Sequence, residues 1–429
     1  MKQNTLLKTI ISGLLFSFAF LFIDYLGFLI IFSLIILYKI LTKNLSTKKI
    51  ISYGFIWGII IFGTHLIWLY ELFISKSSCN IYIFFIIYIF LLFYSGALSA
   101  IYFYLSNKIL LYFKNIYLKI LLFFINLYLF FYFIINYYLF FIDKNFGYPF
   151  INPLIPLARY KLFLSLINVL SVFGITSSLW DNSNKINLDN FFKNNKIIYV
   201  KPVISSFNNN YNANTAGLLV YNELASLNLE QYKNKYKNII LVSPETFFPY
   251  FLNLDNKQDI LKLWANILPN NSMFLLGSQR ECCDNNKTKY FQTVYRVEQG
   301  RIIEYYDKKH RVWFVEKNPR LLKNLNLNNI LYLDEKNKFS KPKNLNKIFK
   351  INNFNIAVYI CSELFFLKDI KQECEQNRVK LIFFLVNDSW FLNYFKKNMQ
   401  NFVYLISNRL NIPILYVGHK EMLLVKPIL

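Results

Sequence analysis

Residues 354–366 read Phe354-Asn-Ile-Ala-Val-Tyr-Ile-Cys361-Ser-Glu363-Leu-Phe-Phe366. Ile356, Val358 and Ile360 alternate with Ala357, Tyr359 and Cys361, the period-two pattern of a buried β-strand. The pattern stops at Cys361, and Glu363 follows two residues later. Two other apolar runs end on reactive groups in the same way. Asn238-Ile-Ile-Leu-Val-Ser-Pro-Glu245 ends on a carboxylate, and Gly300-Arg-Ile-Ile-Glu-Tyr-Tyr-Asp-Lys308 ends on a cation. A base, a cation and a thiol, each at the exit of an apolar strand, are what a nucleophilic cysteine requires.

The chemistry explains why those three types belong together. A free thiol with pKa near 8.5 is only a few per cent thiolate at neutral pH. A neighbouring base must take its proton, or a cation must stabilise the anion. Glu245 can be that base at an apolar strand exit. Lys308 can stabilise both the thiolate and the oxyanion formed on attack at a carbonyl. The backbone N–H of Ser362 is placed to be a second oxyanion donor, and Glu316 and Glu363 can orient Lys308 or the substrate. Each residue alone has a plainer reading. Pro-Glu after a strand is commonly a turn, Tyr-Asp-Lys a solvated strand end, and a strand cysteine an inert core residue. It is the joint placement on three strand ends that makes the set specific.

Composition sets the frame around this site. The chain has 429 residues, enough for two or more domains. Hydrophobic residues make up 55%, and the mean hydropathy of +0.30 is high for a soluble protein. The excess lies in the first 180 residues and points to membrane spans. A formal net charge of +24 could suit nucleic acid, but the lysines are scattered among asparagines in loops and no nucleic-acid module is present. The five cysteines include no Cys-x-x-Cys pair, and adjacent Cys282 and Cys283 would bridge only with strain. Three separated histidines, His65, His310 and His419, supply neither a zinc site nor a Ser-His-Asp triad well. No metal, disulfide framework or cofactor is therefore expected.

In chain order, a run with Lys2 and Lys8 leads into apolar residues to Phe22, with no small-residue cleavage site after it. It reads as a retained first span. Further spans are expected at about 28–40, 51–73, 81–105 and 120–141. Lysines dominate the N-terminus and the loops around Lys43, Lys48 and Lys49 and around Lys108, Lys114 and Lys119, which places the N-terminus in the cytoplasm. Residues 160–180 can be a sixth span or an interfacial helix. Five spans put the following domain outside and six put it inside. The domains are thus 1–180, a membrane domain of five or six transmembrane helices; 181–195, a polar linker; and 196–429, a soluble domain. In the last of these, strand runs at 197–200, 239–242, 273–276, 294–297, 302–305, 356–360, 381–386 and 414–417 alternate with helical runs at 216–228, 258–267 and 393–409. That alternation suggests a mixed sheet covered by helices.

The segments Ser-Pro-Glu245, Tyr306-Asp-Lys308-Lys-His-Arg-Val-Trp-Phe-Val-Glu316-Lys-Asn-Pro319, Ile360-Cys361-Ser-Glu363 and Asn387-Asp-Ser-Trp-Phe391 resemble the nitrilase superfamily of carbon–nitrogen hydrolases. With spans in front, the chain resembles the apolipoprotein N-acyltransferase family. Phe55-Ile-Trp-Gly58, Trp68-Leu-Tyr70 and Gly147-Tyr-Pro149 are similar to that family's membrane segments. The resemblance implies a multi-span α-helical membrane domain followed by an α/β nitrilase-like α-β-β-α sandwich. It implies a Glu-Lys-Cys triad, filled by Glu245, Lys308 and Cys361, with Glu316 and Glu363 in support. It implies no cofactor, a phospholipid acyl donor, a diacylglyceryl lipoprotein acceptor, and a monomer in the bacterial inner membrane with its catalytic domain extracytoplasmic. A membrane-tethered amidase using water as acceptor and a degenerate, non-catalytic relative are the other readings. The intact triad speaks against the latter.

Overall fold

The computed structural model describes residues 3–67, 70, 81–137, 155–157, 188–203, 212–252, 258–284, 287–311, 339–340, 342, 346–351, 354–391 and 393–427. The candidate sixth span at 160–180 and Glu316 lie outside the described residues. The chain divides into two compact units. One holds the described residues of Met1–Leu170 and Phe391–Leu405; the other holds those of Ser171–Lys317, Leu333–Trp390 and Ile406–Leu429.

The first unit is helical. Its elements are α1 (Gln3–Leu21), α2 (Ile23–Leu26), α3 (Leu29–Leu41), α4 (Thr47–His65), α5 (Ile81–Tyr112) and α6 (Ile116–Tyr137). Two of these are long and apolar enough to cross a membrane, over Phe84–Tyr112 and Ile116–Ile134, and only 33% and 22% of those stretches are buried. Phe85, Ile86, Phe90, Phe93, Leu121, Phe124 and Leu129 are all exposed. A helix on a soluble surface would turn a polar face outward, so an outward apolar face suits a hydrocarbon solvent.

Close packing and polar ties hold these helices together. Gly54 and Gly58, spaced Gly-x-x-x-Gly on α4, let α5 approach closely. A Cβ on Gly54 would lie 2.8 Å from the Cα of Ala100, and one on Gly58 would lie 2.5 Å from Ser99 Oγ. Ser12 Oγ donates to the Ser33 carbonyl (3.0 Å), Ser33 Oγ to the Ser12 carbonyl (2.8 Å), and Trp57 Nε1 to Ser12 Oγ (3.2 Å). These bonds join α1, α3 and α4. Asn107 Nδ2 donates to the carbonyls of Leu41 (2.7 Å) and Lys43 (2.9 Å), satisfying acceptors that the end of α3 leaves open. In the same unit, Asn398 Nδ2 donates to the Phe20 carbonyl at 3.1 Å, and Lys397 pairs with Asp24. Residues 391–405, expected in the soluble domain, thus cluster with the N-terminal helices.

The second unit is α/β. It opens with α7 (Leu188–Asn194), so the stretch expected to be linker is helical from Leu188. Its strands are β1 (Asn195–Tyr199), β2 (Asn238–Val242), β3 (Phe248–Phe251), β4 (Ser272–Asp284), β5 (Lys287–Glu298), β6 (Arg301–Asp307), β7 (Ile348–Ile351), β8 (Phe354–Ile360), β9 (Leu381–Leu385), β10 (Ile414–Val417) and β11 (Met422–Val425). Its other helices are α8 (Ala213–Ser226), α9 (Glu230–Lys233), α10 (Gln258–Ala265), α11 (Leu367–Gln376) and α12 (Asn393–Leu410), whose last turns belong to this unit.

The strands form two sheets, the number that the α-β-β-α resemblance implied and one more than strand alternation alone suggested. The first runs β1-β2-β4-β5-β6, with β3 beside β4; the second runs β11-β10-β9-β8-β7. In the first, β1-β2-β4 are parallel with β1 at the edge, and β5 and β6 continue antiparallel; in the second, a parallel β10-β9-β8 centre has antiparallel β11 and β7 at its edges. The centres are Val-, Ile-, Leu- and Phe-rich because parallel strands are covered on both faces. Ile239, Leu241, Phe274, Leu276, Tyr295 and Val297 pack with Ala216, Val220 and Leu224 of α8 and Trp264 of α10 in one core. The covering helices leave the carboxyl ends of the parallel strands as the place for a site.

Candidate active site

Glu245 stands three residues beyond β2 and is 3% exposed. Its turn is shaped by what lies beneath. Ser243 Oγ accepts the Gly277 N–H (3.1 Å), and the Pro244 carbonyl lies directly against Gly277. A Cβ there would meet Pro244 O at 2.1 Å and the Glu245 Cα at 2.9 Å. Only glycine fits at that position. Gly277→Ala is expected to displace Glu245 and to destabilise the fold by about 1–3 kcal/mol, the usual cost of overpacking. Thermal melting against the wild type checks it. Thr246, next in line, has φ +56°, a strained conformation for a β-branched residue.

The Glu245 carboxylate is held at both oxygens. Lys308 Nζ donates to Oε1 at 2.9 Å, and the Asn387 N–H donates to Oε2 at 3.0 Å. The two side chains of the ion pair are 1% and 3% exposed. Lys308 follows the last residue of β6 and stays in register, its N–H donating to the Gln292 carbonyl at 2.8 Å. Its neighbour Asp307 anchors the strand end. Arg280 grips Asp307 with Nε (3.0 Å) and Nη2 (2.5 Å), and Thr293 Oγ1 donates to it at 2.6 Å. The Arg280 guanidinium lies over the rings of Phe291 (4.4 Å) and Tyr305 (4.6 Å). A bidentate, ring-stacked arginine is a rigid support.

Cys361 directly follows β8 with φ +46° and opens a tight 3₁₀ turn, Cys361–Phe365. It is 4% exposed. Left-handed backbone at a non-glycine residue is strained, and something must hold it. Glu363 does so. Its Oε2 accepts the Ile360 N–H at 2.9 Å. Its Oε1 accepts from Tyr306 Oη (2.5 Å), the Lys309 N–H (2.7 Å) and the His310 N–H (3.2 Å). One buried carboxylate thus ties the residue before Cys361 to the residue after Lys308. Burial, and then the Glu363 carboxylate, push the Tyr306 phenol well above its ordinary range, so it remains a donor. Ser362 Oγ donates to the His310 carbonyl at 2.8 Å. The His310 ring stacks on Phe366 at 3.6 Å, and its Nε2 meets Asp369 Oδ2 at 3.1 Å. That hydrogen bond, with a second from Lys309, holds the Asp369 carboxyl far below the usual range despite partial burial.

Of the residues read from the sequence, Glu245 and Lys308 are in direct contact. Glu363 links their neighbourhood to Cys361, and Ser362 sits on the Cys361 turn. Cys374 lies apart on α11, where burial pushes its thiol up to about 12. Cys282 and Cys283 lie far along β4. Tyr306, Asn387, Asp388 and His419 were not expected in these roles. The Asn387-Asp-Ser-Trp-Phe391 run was the one signal for two of them. Among the described residues, no cluster of three His, Cys, Asp or Glu side chains is placed to hold a metal ion.

Comparison with known proteins gives the following. No curated protein matches the chain. Among solved structures, glutamine-dependent NAD+ synthetase from Acinetobacter baumannii is 14% identical, with TM-score 0.33, over 48% of this chain and 37% of that one. A mutant of the Nesterenkonia AN1 amidase, from the nitrilase superfamily, is 11% identical, with TM-score 0.36, over 54% and 81%. Saccharomyces cerevisiae Nit3, a member of branch 10 of the nitrilase superfamily, is 12% identical, with TM-score 0.35, over 49% and 77%. Residues 12–181 match the family model described as apolipoprotein N-acyltransferase N-terminal domain.

Proposed function

We propose that the protein is an apolipoprotein N-acyltransferase that works through a Glu245–Lys308–Cys361 triad. The observation that carries this is the buried Lys308–Glu245 pair, joined through Glu363 to a cysteine held in strained backbone. A buried base–cation pair, tied through Glu363 to a cysteine on strained backbone, is costly to maintain as mere structure.

In the first half-reaction Glu245 takes the thiol proton, and the Cys361 sulfur attacks an ester carbonyl of a phospholipid. Lys308 and the Ser362 N–H stabilise the oxyanion. The C–O bond breaks, Glu245 returns the proton to the departing lysophospholipid alkoxide, and a thioester remains. In the second half, the α-amine of a diacylglyceryl-cysteine attacks that thioester. The C–S bond breaks, and Glu245 relays a proton from nitrogen to sulfur. Glu363 orients the loop carrying Lys308, and Glu316 is assigned a supporting role from its motif alone. The apolar helices keep the enzyme where both lipid-anchored substrates are concentrated. The N-terminus is placed in the cytoplasm and the catalytic domain outside it, which requires an odd number of crossings. The enzyme acts as a monomer and needs neither cofactor nor nucleic acid.

The test uses the full chain in vesicles with acyl-labelled phospholipid and no acceptor. One labelled acyl group per chain should be trapped as a thioester on Cys361, located by mass spectrometry. A diacylglyceryl peptide with a free amine should then release it as amide. Discharge by water at the same rate as by the amine would instead indicate an amidase, and no thioester would indicate a non-catalytic relative.

A further inference from the structure

The turn that carries Glu245 is itself held, and by a residue with no assigned role. The carbonyl of Glu245 points at His419 Nε2, 3.0 Å away. A carbonyl can only accept, so the imidazole presents an N–H there, as it can in the neutral or the charged ring. This bond falls at the peptide between Glu245 and Thr246, where the chain enters the left-handed conformation of Thr246 (φ +56°). An anchor at that peptide is what a strained turn requires to persist.

His419 is in turn seated from three directions. Its N–H donates to Asp388 Oδ1 at 2.7 Å. Asp388 is 1% exposed, and its Oδ2 accepts from Tyr416 Oη at 2.9 Å. Gly418, just before the histidine, lies so close to Asp388 that a Cβ would be 2.5 Å from Oδ2. The Gly418 carbonyl accepts from Tyr199 Oη at 2.8 Å. Asp388 also follows Asn387, whose N–H holds the carboxylate of Glu245. The donor to the Glu245 side chain and the acid that seats the donor to its backbone are thus consecutive residues, Asn387 and Asp388.

We propose that His419 is a positioning residue for the acylation step. It clamps the Glu245–Thr246 peptide so that the carboxylate meets Lys308 and Cys361, with Asp388, Tyr416 and Gly418 as its seat. This rests on Glu245 being the general base. His419 moves no proton in the reaction; it supplies a fixed N–H.

The experiment compares His419→Leu, His419→Ala and His419→Gln with wild type and Glu245→Gln, all as full chains in vesicles. Acylation by labelled phospholipid is followed in single turnovers across donor concentrations, with thermal melting alongside. His419→Leu keeps the volume and removes the donor, so it serves if the alanine variant does not fold. His419→Gln can present an N–H from the same part of the side chain. Expected is a loss of about tenfold or more in the maximal acylation rate for the leucine and alanine variants, at unchanged half-saturating donor concentration, with most of the rate restored by glutamine. A folded His419→Leu acylating at the wild-type rate, or His419→Gln as slow as His419→Leu, overturns the proposal while Glu245→Gln stays inactive. If Glu245→Gln itself acylates normally, the assignment of the base fails and the proposal falls with it.

Discussion

Cys361→Ala is expected to trap no acyl group and to transfer none. Among the described cysteines it is the one at a strand exit beside the Lys308 loop. Cys374 is buried on α11 with its thiol pushed up to about 12, and Cys282 and Cys283 lie on the distal part of β4. None of these can take over, so the loss should be on the order of 10⁴-fold or more, the scale on which removal of a covalent nucleophile acts. Cys361→Ser should lose nearly as much, because a hydroxyl is far less acidic than a thiol and one carboxylate is a poor base for it. Melting should barely change, since alanine also accepts this site at the cost of a small side chain. The check is labelled phospholipid followed by mass spectrometry. Label appearing on Cys361→Ala as readily as on wild type would remove the nucleophile from the mechanism.

The second large effect is on stability as well as rate. Lys308→Met leaves the Glu245 carboxylate in a site where the pair is 1% and 3% exposed. Removing one partner of a buried pair typically costs about 3–5 kcal/mol. By the proposed mechanism it also removes the oxyanion cation, a loss of about 3 kcal/mol or more in the barrier. The two consequences separate in a double variant. Lys308→Met with Glu245→Gln removes both charges and should recover much of the stability while remaining inactive. Denaturant melts and single-turnover acylation on the four proteins of this cycle decide it. A double variant as unstable as Lys308→Met would mean that charge burial is not what destabilises the single one.

Much of this was legible from strand periodicity. The runs 239–242, 302–305 and 356–360 each lie inside an observed strand, and each run ends just before a group now found in or beside the site. What periodicity could not give was partnership. Strand alternation shows strands but not how many sheets they form; alone it suggested one mixed sheet, and the second sheet was implied only by the α-β-β-α resemblance. The hairpin of β4 and β5 was seen only at its apolar roots, because Gln279, Arg280, Glu281 and Asp284 beyond them break the alternation. β11 was missed as a short edge strand behind Lys420 and Glu421, and α11 because, among its described side chains, the buried apolar ones are Ile370 and Cys374. His419 was invisible for another reason: it acts on a backbone carbonyl 174 residues earlier in the chain, and no side-chain pattern encodes that contact.

The single carboxylate of Glu363 has one more consequence. It accepts from Ile360 on one oxygen and from Tyr306, Lys309 and His310 on the other. The backbone before Cys361 and the backbone after Lys308 are therefore pinned to one rigid planar group. When thermal motion shifts that group, both arms travel together. Their absolute positions can wander while the gap between them stays nearly constant, as with two needles mounted on one spindle. For a reaction that depends on relative and not absolute placement, such common-mode motion is harmless. Only the independent drift of each arm about the shared pin would be felt as lost rate.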